Sequence, residues 1–162
     1  MLRFSVVLLL LLATSLCQAA DYKQWLPLLP ESAMGIPRSG DPEGTNVTMN
    51  DMENSSLTVR YRDGERSAEI MLIHDSSRSL IMPFEMVRDM RVETPEEIHL
   101  PTTLEGYQAI YQLDRPGNQA ALIVILSPTM LIHVSFQPAP EKAALMKFVA
   151  GLPLKKLAAS VQ

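Results

Sequence analysis

The sequence predicts an α+β domain: a mainly antiparallel sheet of about six to seven strands, with two helices packed on one face in two layers, behind a cleaved signal peptide. Three observations predict it. Several segments alternate apolar and polar residues with a period of two. Turn dipeptides such as Asp63-Gly64 and Pro116-Gly117 separate them at short intervals. Two further segments carry their apolar residues at helical spacing instead.

The N-terminus reads as an address. Arg3 precedes an apolar run from Phe4 to Ala13, broken only by Ser5 and containing the leucines Leu8 to Leu12. Small and polar residues then lead to Cys17-Gln18-Ala19-Ala20. Charge, short apolar core and small residues at the cut form an export signal, and the run is too short to span hydrocarbon. Cleavage is expected after Ala19, with Cys17 and Ala19 at the small-residue positions and Ala20 the alternative. Leu16 precedes Cys17 where a lipidated cysteine requires a small residue, so no lipoprotein is expected. Cleavage removes one arginine and no acid, which takes the net charge from −4 to −5. A mildly acidic domain has no electrostatic reason to seek nucleic acid. Cys17 is the only cysteine and leaves with the signal, so the exported domain holds together without disulfides. That combination points to a bacterial periplasm.

Residues 20–44 form a strap punctuated by Pro27, Pro30, Pro37 and Pro42. It has room for one helical turn near Tyr22 to Leu26, and it lays Trp25, Leu26, Leu28, Leu29 and Ile36 on the core. A single domain is expected over 45–157, with 158–162 as a tail. Strands begin near Thr45. Leu57, Val59 and Tyr61 alternate with Thr58, Arg60 and Arg62, and after the Asp63-Gly64 turn Arg66 to His74 returns as the partner. A helix is expected from about Leu80 to Arg91, with Leu80, Met82, Phe84, Met86, Val87 and Met90 in one arc. Strands follow near Ile98 to Thr103, Tyr107 to Leu113, Gln119 to Leu126 and Met130 to Phe136. The stretch from Ala120 to Leu126 is apolar on both faces and reads as central. Pro138 and Pro140 open the last helix, whose Leu145, Phe148, Val149 and Leu152 share a face, with Gly151 at its C-cap. The β-β-β-α order occurs twice, which raises an internal duplication.

Two groups of turn and core positions resemble a known class. One comprises Leu26-Pro27-Leu28-Leu29-Pro30, Gly35-Ile36-Pro37, Gly40-Asp41-Pro42-Glu43-Gly44 and the Tyr61-Arg62-Asp63-Gly64 hairpin. The other runs from Gly106-Tyr107-Gln108-Ala109 to Leu152-Pro153-Leu154-Lys155-Lys156-Leu157. Together they resemble small exported bacterial proteins of unassigned function, labelled hypothetical periplasmic proteins. The resemblance implies localisation and fold, and it transfers no catalytic residue.

Candidate functional residues are sparse. No GxSxG elbow, HExxH or phosphate loop occurs, and His74-Asp75-Ser76-Ser77 reads as a turn, since triad members approach from different directions. No cofactor, catalytic residue or metal ligand is therefore assigned. Met82, Met86 and Met90 stand at i, i+4 and i+8. Core packing is the first expectation for them, a ligand or partner groove the second, and thioether ligation of copper the third. Arg60 and Arg62 share the wet face of their strand, where acids are expected to balance them. With the methionines, Arg60, Arg62 and His133 are the candidates for a ligand or partner contact, and His74, His99 and His133 all fall on expected strands. The function expected is that of a non-catalytic periplasmic binding or accessory module with an envelope protein or small ligand as its partner. The alternatives are soft-metal handling and an enzyme without a recognisable motif.

Overall fold

Tight turns set the topology. At Asn50-Asp51 and Glu105-Gly106 both central residues take positive φ, the geometry whose twist matches paired antiparallel strands. In the computed structural model, residues 21–161 are described. The expected signal segment, with Cys17, Ala19 and Ala20, lies outside the described residues.

A short helix α1 (Tyr22–Trp25) and a 3₁₀ turn lead into a two-stranded ribbon, β1 (Ser32–Ala33) and β2 (Ile36–Pro37). Then come β3 (Glu43–Met49), β4 (Met52–Asp63) and β5 (Arg66–Asp75), and helix α2 (Met82–Val87). After it follow β6 (Val92–Glu93), β7 (Glu97–Leu104), β8 (Tyr107–Asp114), β9 (Gln119–Ser127) and β10 (Met130–Gln137). Helices α3 (Lys142–Ala150) and α4 (Leu154–Ala159) close the chain. The main sheet has eight strands in the order β3-β4-β5-β10-β9-β8-β7-β6, and every pair is antiparallel. Two meanders therefore meet where β5 pairs with β10, Ile70 opposite Val134 and Leu72 opposite Ile132.

The α+β class and the antiparallel sheet are as expected, but strand number and helix placement differ. Short β6 brings the sheet to eight strands, and two residues are too few to show a period. The helices do not share a face. On one side, the core face, Leu57, Ile70, Ile132 and Leu122 pack with Leu145 and Val149 of α3 and Leu157 of α4. Phe148 of α3 meets Phe136 of β10 edge to face at 5.5 Å, a favoured arrangement of ring quadrupoles. The opposite side, the crossover face, carries Ile110, Ile123 and Leu131 beneath Ile81, Phe84 and Val87. The cause is connectivity. β5 ends at the centre of the sheet while β6 starts at the far edge, so residues 76–91 must cross four intervening strands. Because α2 and α3 lie on opposite faces, the two β-β-β-α passages do not repeat one structural unit.

Helix α2 is also shorter than the expected Leu80 to Arg91. Pro83 sits in its first turn and Arg88 is its C-cap, so the one-sided stripe narrows to Ile81, Phe84 and Val87.

The strap lies on the core face as its apolar spacing implies. Trp25, Leu29, Ala33 and Ile36 are buried, and the Tyr61 hydroxyl donates to the Pro30 carbonyl at 2.9 Å. Trp25 Nε1 donates to Ser160 Oγ at 2.9 Å, and Ser160 Oγ donates to the Leu157 carbonyl. Residues beyond 157 therefore join the core, and Ala158 is buried there. Trp25→Phe should cost about 2 kcal/mol, since it loses one hydrogen bond and leaves part of the buried indole volume empty. Trp25→Ala should cost about 3–5 kcal/mol, because it adds a cavity. Urea denaturation of the two variants measures both.

Candidate functional site

The crossover face is the part of the sheet left half open, and Asp75 decides where its cover begins. Asp75 ends β5 fully buried. Its Oδ1 accepts from Ser77 N (2.9 Å) and Ser77 Oγ (2.6 Å). Its Oδ2 accepts from Ser79 Oγ (2.9 Å) and Leu80 N (2.7 Å). With the Asn54 amide oriented by this network, its nitrogen donates to Oδ1 at 2.7 Å. Burial alone would raise the carboxyl pKa, but the hydrogen bonds from Ser77, Leu80 and Ser79 hold it below the ordinary carboxylate value. Ser76 ties the same loop to β4: its N–H donates to the Glu53 carbonyl and its Oγ accepts from Glu53 N. At the other end Arg88 Nη1 donates to Gln108 Oε1 on β8 at 2.9 Å. His74-Asp75-Ser76-Ser77 is thus a loop anchor. The short spacing of serines after an aspartate is the sequence signal for such a turn.

Fixing Ile81, Phe84 and Val87 inward turns the other side of the helix out. Met82, Met86 and Met90 are exposed, Met86 at 78%. The expected core packing of these methionines does not occur, because the inward stripe is Ile81, Phe84 and Val87, which leaves Met82, Met86 and Met90 on the other side. Met82 and Met86 lie on α2, and Met90 lies in the turn beyond it. The exposure extends to neighbouring structure. Val47 pairs with Asn54, and Met49 with Met52, across the β3–β4 hairpin. These residues share the parity of Thr58, which pairs with Met71 and through it with His133 on the crossover face. Among the described residues, the exposed large apolar side chains are Met34, Val47, Met49, Met52, Leu80, Met82, Met86 and Met90. All but Met34 belong to the crossover or to this hairpin tip.

The remaining half of the face is polar. Arg60, Arg62, Ser67, Glu69, Ser135 and Gln137 line a shallow hollow of about 350 Å³. The acids balance Arg60 as expected: its guanidinium pairs with both oxygens of Glu43, and its Nε donates to Glu69 at 3.2 Å. Arg62 has no hydrogen-bond or ion-pair partner among the described residues. His133 stands in the row above Ser135, half-covered between Met71 and Ile123. Burial lowers its pKa against the pull of Glu69. Ser135, Glu69 and His133 share this face, yet no hydrogen bond connects any two of them, so none is prepared as a nucleophile or base.

The structure therefore brings the six candidates Met82, Met86, Met90, Arg60, Arg62 and His133 to one side of the sheet, the sulfurs over its covered half and the polar groups on its open half. It does not bring the histidines together. His99 Nε2 lies 2.8 Å from Gln112 Nε2 on the far part of that face, while His74 is buried beside Met130 and Ser55 on the core face. Among the described residues no group of three or more His, Cys, Asp or Glu is placed to hold a metal ion, and no helix is long and apolar enough to cross a membrane. No protein-family model, curated protein or solved structure matches the chain.

Two predictions follow from the buried groups. Asp75→Ala removes the acceptor for five donors and should destabilise the domain by about 3 kcal/mol, with limited proteolysis opening first within 76–91. Burial lowers both His74 and His133, the former against Glu53 and Asp75, the latter against Glu69. The unfolded chain then binds more protons than the native one below the ordinary histidine pKa of about 6.5, so stability should fall as pH drops beneath it. Denaturation midpoints at neutral pH and at about pH 5.5 should converge in a His74→Leu/His133→Leu variant.

Proposed function

We propose that this protein is an exported, non-catalytic binding module of the periplasm, which engages a protein partner through the outward side of the crossover and the adjoining hairpin tip. One observation carries the reading: the exposed apolar side chains are concentrated there. Scattered apolar residues need no explanation, but a concentration on one side of a domain marks a contact surface. Flexible, polarisable methionine suits such a surface because it adapts to its partner. Ser135 lies opposite Glu69 with His133 in the next row, and the lack of a hydrogen bond among the three supports a non-catalytic role. The signal-like N-terminus and the lack of any other cysteine support export, as does the resemblance to exported bacterial proteins.

A photo-crosslinking residue at position 86 tests this in cells, with position 155 on α4 as control. A defined adduct is expected from position 86 in the envelope fraction, absent from position 155 and abolished by Met82→Lys. An uncleaved chain retained in the cytosol, or equal labelling from both positions, overturns the proposal. The exposed sulfurs of Met82 and Met86, one helical turn apart, also bear on copper handling. No histidine joins them, so anaerobic titration should show no monovalent copper binding tighter than about micromolar. Tighter binding lost in the Met82→Leu/Met86→Leu variant would favour the metal reading instead.

A further inference from the structure

The two edges of the main sheet are treated differently. In β7, Leu104 and Tyr107 close a two-residue turn with positive φ at both central residues, so they form a hydrogen-bonded pair and alternate residues point their backbone groups outward. The outward set is Glu97, His99, Pro101 and Thr103, and β6 indeed pairs Val92 with His99. Pro101 removes one outward donor, while β6 and the Thr94 N–H, which donates to the Glu97 carbonyl, occupy part of what remains. Proline and short covering strands are the usual protection of a sheet edge.

At the opposite edge the same geometry holds for β3. Met49 and Met52 close the Asn50-Asp51 turn, so Gly44, Asn46 and Thr48 direct their N–H and C=O groups away from β4. None of these groups has a backbone partner among the described residues. Every residue of β3 is exposed except half-buried Gly44. The strand holds no proline, lysine or bulge, and it runs for seven residues. Its single charge, Glu43, is already paired with Arg60 of its own chain. The contact of α1 with this strand comes from the core-face side, where Tyr22 packs over Gly44 and its N–H reaches the Asn46 side chain.

We infer that β3 pairs antiparallel with β3 of a second copy of this chain, continuing the sheet across a two-fold axis. The strand is self-complementary. With Val47 opposite its counterpart on the axis, Asn46 and Thr48 exchange about four main-chain hydrogen bonds with Thr48 and Asn46 of the other copy. Val47 then packs on Val47, and Met49 faces Thr45. Within β3 no like charges meet, and Glu43, which this register sets opposite Asp51 of the other copy, stays neutralised by its own Arg60. A heterologous peptide could use the same edge, but the symmetric register covers exposed Val47 and Met49 of both copies at once, which favours a second copy. The inference takes Val47 and Met49 of the hairpin tip for the second copy and leaves Met82, Met86 and Met90 of the crossover to the partner proposed above.

Sedimentation velocity on the chain lacking residues 1–19 should show a monomer–dimer equilibrium between about 1 and 100 µM, as a small interface implies. Val47→Lys, at an exposed position that leaves the core untouched, should abolish the dimer. In the same shortened chain, which lacks Cys17, Val47→Cys should oxidise to a disulfide-linked dimer, since directly opposed residues of a non-hydrogen-bonded pair lie about 4.5 Å apart at Cα. Thr45→Cys, opposite Met49, should not. A monomer up to about 1 mM, a dimer indifferent to Val47→Lys, or equal crosslinking at 45 and 47 overturns the inference.

Discussion

The pairing of β5 with β10 is the constraint on which the architecture depends. It joins a three-stranded meander to a five-stranded one and aligns Ile70 and Leu72 with Val134 and Ile132. The partners are far apart in sequence, so the loop-closure entropy is met only when both meanders exist. With β5 held in place, a slip of one residue would bring Leu131 of β10 to the core face and send Ile132 to the other. Apolar cover on both faces makes that register costly to lose.

Two faces covered by different elements give the molecule its asymmetry. The core face is sealed along its length by α3, α4 and the strap, whereas the crossover shields only the rows around Ile73, Leu131, Ile123 and Ile110. The rest of the second face remains polar, with Arg60 held between Glu43 and Glu69. The apolar residues left over are pushed to the outside of the crossover and to the hairpin beside it. Packing thus separates a hydrogen-bonding surface from an oily one on the same side of the protein.

Much of this was legible in the residues. Leu57, Val59 and Tyr61 announced their strand because a half-wet strand must alternate, and Trp25, Leu29 and Ile36 announced a packed strap because solvated linkers lack such groups. What failed was direction. The apolar run from Ala120 to Leu126 already required cover on both faces, yet no pattern local to a helix says which face it will choose. That choice follows from where β5 ends and β6 begins, a property of the whole topology. The same gap misplaced Met82, Met86 and Met90: a methionine fits a core or a surface equally well, and only Ile81, absent from the expected stripe, distinguished the two. Asp75 and the open edge of β3 were likewise invisible, since each is defined by what surrounds it in space.

The bond between Trp25 and Ser160 ties the beginning of the described chain to its end. Until residues 154–160 dock, the indole lacks its partner and the pocket around it stays uncovered by α4. Closure of the strap is thus a joint event: neither end of the described domain is finished before the other arrives.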